Sequence, residues 1–171
     1  MRTERRPSEP APTLFNSTIE TGIRAVIVLE AMYPRACGLA EMTCFDHLVV
    51  HSADVDGPPS LHPDLQPRTG ELVVRRGLVG EGLRLMCQMQ LVDETHDEHG
   101  IRYQASDGVP SFLRPMRAPY TLALRERAKW LADELRDRTE AEIEALANAL
   151  IARWTLGPRP SSAGQDSGDL R

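Results

Sequence analysis

The sequence predicts a mainly helical α+β domain, and three observations predict it. Apolar residues recur at helical spacing in five separate segments. Only the stretch around residues 91 to 105 alternates apolar and polar residues about a glycine. The order along the chain is helix, helix, helix, hairpin, helix, helix.

The first helix opens at "STIE", where Ser17 and Glu20 form a capping box that satisfies free amides of the first turn. Ala25, Val26, Leu29, Met32 and Tyr33 make its apolar stripe, and Ile23 and Ile27 widen it, so the helix should be largely buried until Pro34 stops it. The second helix is "GLAEMTCFDHLVVHS", with Leu39, Met42, Phe45, Leu48 and Val49 at helical spacing. Pro58, Pro59, Pro63 and Pro67 then exclude regular structure. The third helix is expected from near Thr69 to about Gln90, carrying Leu72, Val79, Leu83 and Met86 on one side. Gly77, Gly80 and Gly82 weaken it and predict a kink or a split. Leu91 and Val92 begin one strand, and Ile101, Tyr103 and Ala105 alternate on the next, with Gly100 at the turn. Two further helices run from Pro119 to about Leu135 and from Thr139 to Trp154. Glu140, Glu142 and Glu144 crowd the start of the last one, where the macrodipole favours anions.

Three helices followed by a β-hairpin is the order of a winged helix-turn-helix with the hairpin as its wing, here extended by extra C-terminal helices. One feature departs from it. Helix-turn-helix pairs are joined by a turn of about three or four residues, whereas some sixteen residues (53 to 68) separate the second and third helices here. Long structureless loops inside compact domains are uncommon and usually functional. The domain is expected over residues 14–156, between disordered tails at 1–13 and 157–171, which are rich in Pro, Arg, Glu, Gly and Ser and poor in burial capacity.

Composition narrows the function classes. A chain of 171 residues is long enough to bury a core without disulfides or metal staples. A net charge of -5 removes the simplest argument for nucleic-acid binding. Cys37, Cys44 and Cys87 form an odd set without CxxC spacing and read as buried apolar residues in a reducing cytoplasm. The N-terminal stretch has no apolar run behind its basic residues, and "IRAVIVLEAMY", broken by Arg24 and Glu30, is too short to span a bilayer. No membrane association is expected.

The stretch "DHLVVHSADVDGPPSLHPDL" concentrates the candidate chemistry. His47 and His51 share a helical face, and His62, Asp54 or Asp56 would have to complete a metal site. Neither zincin motif is present, and the aspartates do not follow EF-hand spacing. His51 reads better as a cationic cap near the end of the second helix, and the aspartates read as turn residues. "GLVGEG" lacks a preceding strand and a following Gly-Lys-Ser or Gly-Lys-Thr, so it is not a phosphate loop. No catalytic residue, cofactor or metal is assigned, and the chain is not expected to be an enzyme. Candidate DNA contacts are Arg75 and Arg76 on the third helix, with Arg114, Arg117 and Arg125 beyond the hairpin. Against them, the hairpin carries Asp93, Glu94, Asp97 and Glu98 beside a single Arg102, a sign that repels phosphate.

Four stretches, "LFNSTIETGIRAVIVLEAMYP", "FDHLVVHSADVDGPPSLHPDL", "TGELVVRRGLVGEGLRLM" and "SFLRPMRAPYTLALRERAKWLADEL", together resemble the second type of middle component of bacterial ABC-three-component systems. That group includes Lamassu-type anti-phage defence operons. The resemblance covers about Leu14 to Trp154. It implies a non-catalytic winged-helix accessory subunit in the cytoplasm. Its implied partners are a coiled-coil ATPase, similar to SMC proteins and Rad50, and an effector such as a nuclease, with DNA met through the assembled complex. It also suggests a docking role for the proline-rich loop, with Asp54, Leu61, His62, Asp64 and Leu65 as candidate contacts. The main rival is a winged-helix transcription regulator that binds DNA; a metal-dependent hydrolase is a third reading.

Overall fold

The computed structural model describes residues 17–63 and 71–156. It is mainly helical, with one small antiparallel sheet. The elements are α1 (Thr18–Met32), β1 (Cys37–Gly38), α2 (Leu39–Leu48), a 3-10 turn at Ser52–Val55, α3 (Glu71–Gln88), β2 (Val92–Asp97), β3 (Gly100–Ala105), α4 (Val109–Leu113), α5 (Pro119–Leu135) and α6 (Glu140–Leu156).

The capping box forms as the sequence requires. The Ser17 hydroxyl accepts from the Glu20 amide at 3.2 Å, and the Glu20 carboxylate accepts from the Ser17 amide at 3.2 Å. Helix α1 is the central rod, packed by α2, α3, α4, α5 and β3. Ala25, Val26, Ile27, Val28 and Leu29 are all buried, so nearly every side of the helix meets protein. Tyr33 does not share this fate. It caps the helix rather than continuing it, and its side chain is exposed.

Hairpin strands β2 and β3 pair in the register Glu94↔Tyr103 and Asp97↔Gly100, and Gly100 takes the positive φ that the turn needs. The short β1 adds to the other edge of β3, giving the sheet order β1-β3-β2. Two residues of strand carry no periodicity, so β1 had no signal in the sequence. Helix α4 is a single turn with a proline in its first turn, too brief to show a stripe. The fold is latched by Arg102 of β3, which pairs with Glu41 of α2 at 3.4 Å and with Glu140 of α6, and donates to the Ala36 carbonyl at 3.0 Å.

The predicted split of the third helix is absent: α3 is unbroken over its described residues. Glycine serves a different purpose there. A Cβ on Gly82 would lie 2.8 Å from the Gly22 amide nitrogen, and a Cβ on Gly22 would lie 2.6 Å from the Met86 methyl. The backbones of α1 and α3 therefore approach at a pair of glycines. Tertiary packing keeps the helix continuous where local propensity argued for a break. The start expected near Thr69 lies outside the described residues.

This gives opposite signs for two glycine substitutions in the same helix. Gly82→Ala should destabilise the domain by about 1–3 kcal/mol, because backbone atoms must move apart. Gly77 has open space around it, so Gly77→Ala should stabilise by roughly 0.5–1 kcal/mol through helix propensity. Urea unfolding of the two variants decides it, and equal effects would contradict the glycine crossing.

Candidate functional site

The candidate loop leaves α2 at Leu48, and its described part ends at residue 63. It is built into the domain. The amides of Leu61 and His62 both donate to the Val50 carbonyl, at 2.9 and 3.0 Å, which folds the segment back on the end of α2. The Ser52 hydroxyl donates to the Pro58 carbonyl at 2.7 Å. Asp56 takes a left-handed conformation, which an aspartate tolerates. Next to it, Gly57 sits against the ring of Trp130 on α5 so closely that any Cβ would overlap the indole. Arg127 of α5 donates through two nitrogens to the Pro59 carbonyl, at 3.2 and 2.9 Å. Leu61 is partly buried against the main core. Asp64 and Leu65, the other two candidate docking residues of the loop, lie outside the described residues.

Beneath the loop lies a cluster of charge that the sequence reading did not assemble. Asp46 of α2 is only 1% exposed. Arg24 of α1 grips it with two nitrogens, Nε to Oδ1 at 2.5 Å and Nη2 to Oδ2 at 3.2 Å. Arg75 of α3 reaches the same Oδ2 through Nη1 at 2.7 Å. A charged residue inside each of the apolar runs "IRAVIV" and "CFDHL" was the available signal: a charge at a core position implies a partner. Burial alone lowers the Arg24 pKa, but the adjacent Asp46 carboxylate overrides it, and the net shift is upward.

The histidines and Tyr120 form a ring stack beside this cluster. His47 stacks on His51 with centroids 4.6 Å apart, and His51 meets His62 edge-on at 5.9 Å. His62 stacks on Tyr120 of α5 at 5.9 Å, with Nε2 2.8 Å from the hydroxyl. Arg24 also hydrogen-bonds that hydroxyl. A guanidinium only donates, so the Tyr120 oxygen accepts from Arg24. Burial raises the Tyr120 pKa, opposed by the Arg24 charge. At the other end, His47 Nε2 lies 2.7 Å from the Asp54 carboxylate.

Burial pushes the His47 pKa down to about 4, against the Asp54 hydrogen bond and with help from the charges of Arg75 and His51. Burial does the same to His62, again to about 4, aided by Arg24, His51 and Arg75. Both rings are therefore neutral near pH 7. Helix α2 ends at Leu48, and the His51 ring is buried between His47 and His62. Burial holds the Cys37 and Cys44 thiols up at about 12, so neither is a thiolate nucleophile. Among the described residues no group of three or more His, Cys, Asp or Glu is arranged to hold a metal ion.

The five candidate DNA contacts are not alike. Arg75 is turned inward onto Asp46. Arg125 on α5 pairs with Glu30 of α1 at 3.5 Å. Arg76, Arg114 and Arg117 are exposed. Arg102, counted from sequence as the hairpin's cation, is buried in its latch with Glu41 and Glu140. No helix among the described residues is long and apolar enough to cross a membrane.

Two outcomes follow. Asp46→Ala strands the buried Arg24 and should cost about 3–5 kcal/mol, while the double replacement Arg24→Met with Asp46→Leu should recover most of it; urea unfolding of both tests the ion cluster. The second concerns acid. An unfolded histidine takes up its proton near pH 6.5, whereas folded His47 and His62 do so only near pH 4. Between these values the unfolded chain binds more protons, so stability is full above about pH 6.5 and is lost as pH falls toward about 4. His47 alone accounts for on the order of 3 kcal/mol. A melting temperature that stays flat over this window, or an equal loss in the His47→Asn variant, would contradict the assignment.

No curated protein and no solved structure matches the chain. A family model does, across residues 14–156 and so across all the described structure. This chain belongs to the family of the ABC-three component system Middle Component 2.

Proposed function

We propose that this chain is a non-catalytic accessory subunit, built on a winged helix, of a Lamassu-like bacterial defence complex in the cytoplasm. In this reading it bridges or regulates a coiled-coil SMC/Rad50-like ATPase and its effector, such as a nuclease. The single observation that carries the reading is membership of the middle-component family over nearly the whole folded length. The element order helix, strand, helix, helix, strand, strand, with sheet order β1-β3-β2, is the arrangement of a winged helix and supports the architectural part. The neutral, internally paired His47 and His62 and the protonated buried thiols of Cys37 and Cys44 support the non-catalytic part.

The rival reading, a winged-helix transcription regulator, draws on the exposed Arg76, Arg114 and Arg117. It needs a helix and wing that attract phosphate. Here Arg75 neutralises an internal carboxylate, and the hairpin surface is acidic, so the electrostatic term that dominates DNA affinity is unfavourable at that face. In the accessory-subunit reading, DNA is met through the assembled complex.

Co-expression with the large ATPase and the effector of the same operon is the test. The tagged subunit should hold both through gel filtration. Alone, it should bind duplex DNA weakly, without sequence preference, and with affinity that falls steeply with salt. A tight complex with one short duplex at physiological salt, lost in Arg76→Ala, together with no retained ATPase, would overturn the proposal in favour of the regulator. Elemental analysis of the purified subunit should find no stoichiometric metal.

A further inference from the structure

The outward side of α3 and the hairpin that follows it carry unusual chemistry. Val73 and Val74 are 75% and 63% exposed, the most exposed large apolar side chains among the described residues. Along the same helix, Gly77, Glu81, Arg84 and Gln88 are exposed at helical spacing from Val73. Gly77 has nothing near its Cβ position, so bare helix backbone lies one turn beyond the valines. This strip leads to the hairpin. Tyr103 of β3 lies within electrostatic reach of Glu94, Cys87 and Arg84, which places the C-terminal end of the strip against the sheet.

The hairpin end is acidic and partly apolar. Asp93, Glu94, Asp97 and Glu98 are all exposed, with Met89 and Ile101 exposed beside them. Arg102, the only Arg or Lys of the hairpin, is buried in its ion pairs with Glu41 and Glu140. Strand β2 is the outer strand of the sheet, so its far edge is unpaired within the sheet and presents backbone donors and acceptors.

We propose that this surface, from Val73 and Val74 along α3 to the acidic hairpin, docks a basic segment of a partner protein that also carries apolar anchors. The sign of the charge selects the occupant. Nucleic acid meets four carboxylates where it needs cations. A second copy of this chain would bring an equally acidic hairpin against its own. A basic protein segment satisfies the carboxylates, and apolar side chains on it cover the valines, Met89 and Ile101. The proposal rests on the accessory-subunit reading and names the surface through which it acts.

The test uses the full operon with the tagged subunit and a photo-crosslinking amino acid at Val73, at Thr95 on β2 or, as control, at Lys129 on α5. Capture of the partner subunits by the tag reports on the accessory-subunit reading; crosslinks report on the surface. The expected result is a crosslink to the same partner subunit from Val73 and Thr95, through a Lys/Arg-rich peptide, and none from Lys129. Asp93→Lys with Glu94→Lys should weaken association with that partner by more than about tenfold near 0.15 M salt, and the difference should shrink in high salt. Val73→Asp should weaken it at all salt concentrations. Partners retained with no crosslink at Val73 or Thr95, or with full affinity in the Asp93→Lys, Glu94→Lys variant, would overturn the surface and leave the accessory role standing. Crosslinks to DNA in place of a partner would overturn the surface alone, and loss of all partners from the wild-type chain would overturn both.

Discussion

Asp46 is a carboxylate with almost no access to water, and the three helices around it must converge to keep it charged. An uncompensated ion in that position costs several kcal/mol. Arg24 and Arg75 supply the compensation from 22 and 29 residues away in sequence. Helices α1, α2 and α3 are thereby tied at one point. The glycine pair Gly22 and Gly82 acts on two of the same helices, letting their backbones come within contact. The apolar core packs around this frame, and it is the frame that fixes which residues turn inward.

The proline-rich loop depends on it as well. A stack of rings from His47 to Tyr120 runs beside the ion cluster, and the loop covers it. Trp130 and Arg127 clamp the loop from α5. Its candidate docking residues Asp54, Leu61 and His62 all have contacts within the chain, to His47, the core and Tyr120 respectively. The described part of the loop thus runs from the end of α2 to contacts with α5. The low histidine pKa values belong to the same enclosure, since burial removes water from rings that already sit near two guanidinium groups.

Charge is sorted by this packing. Two arginines of the helical core and one of the hairpin are turned inward onto carboxylates, while the hairpin's own carboxylates face out. The surface near α3 is accordingly more acidic and more apolar than a residue count indicates.

Local signals in the sequence were sufficient for most of the architecture. The capping box at Ser17, the apolar periods of α1, α5 and α6, and the alternation around Gly100 determine their elements because those patterns act over a few residues. The proline spacing likewise excluded helix and strand from residues 56–63, the described part around Pro58, Pro59 and Pro63. Family membership was also legible, because several motifs recur in one order. What the sequence left open is long-range. Strand β1 exists only because β3 lies beside it, and α3 stays continuous where Gly82 meets Gly22. In the sequence the aspartate at position 46 carries no assignment, and the arginine at 75 reads as a candidate DNA contact. Only the folded chain makes them a buried pair, because the free energy of a charge is set by what surrounds it and not by its neighbours in sequence.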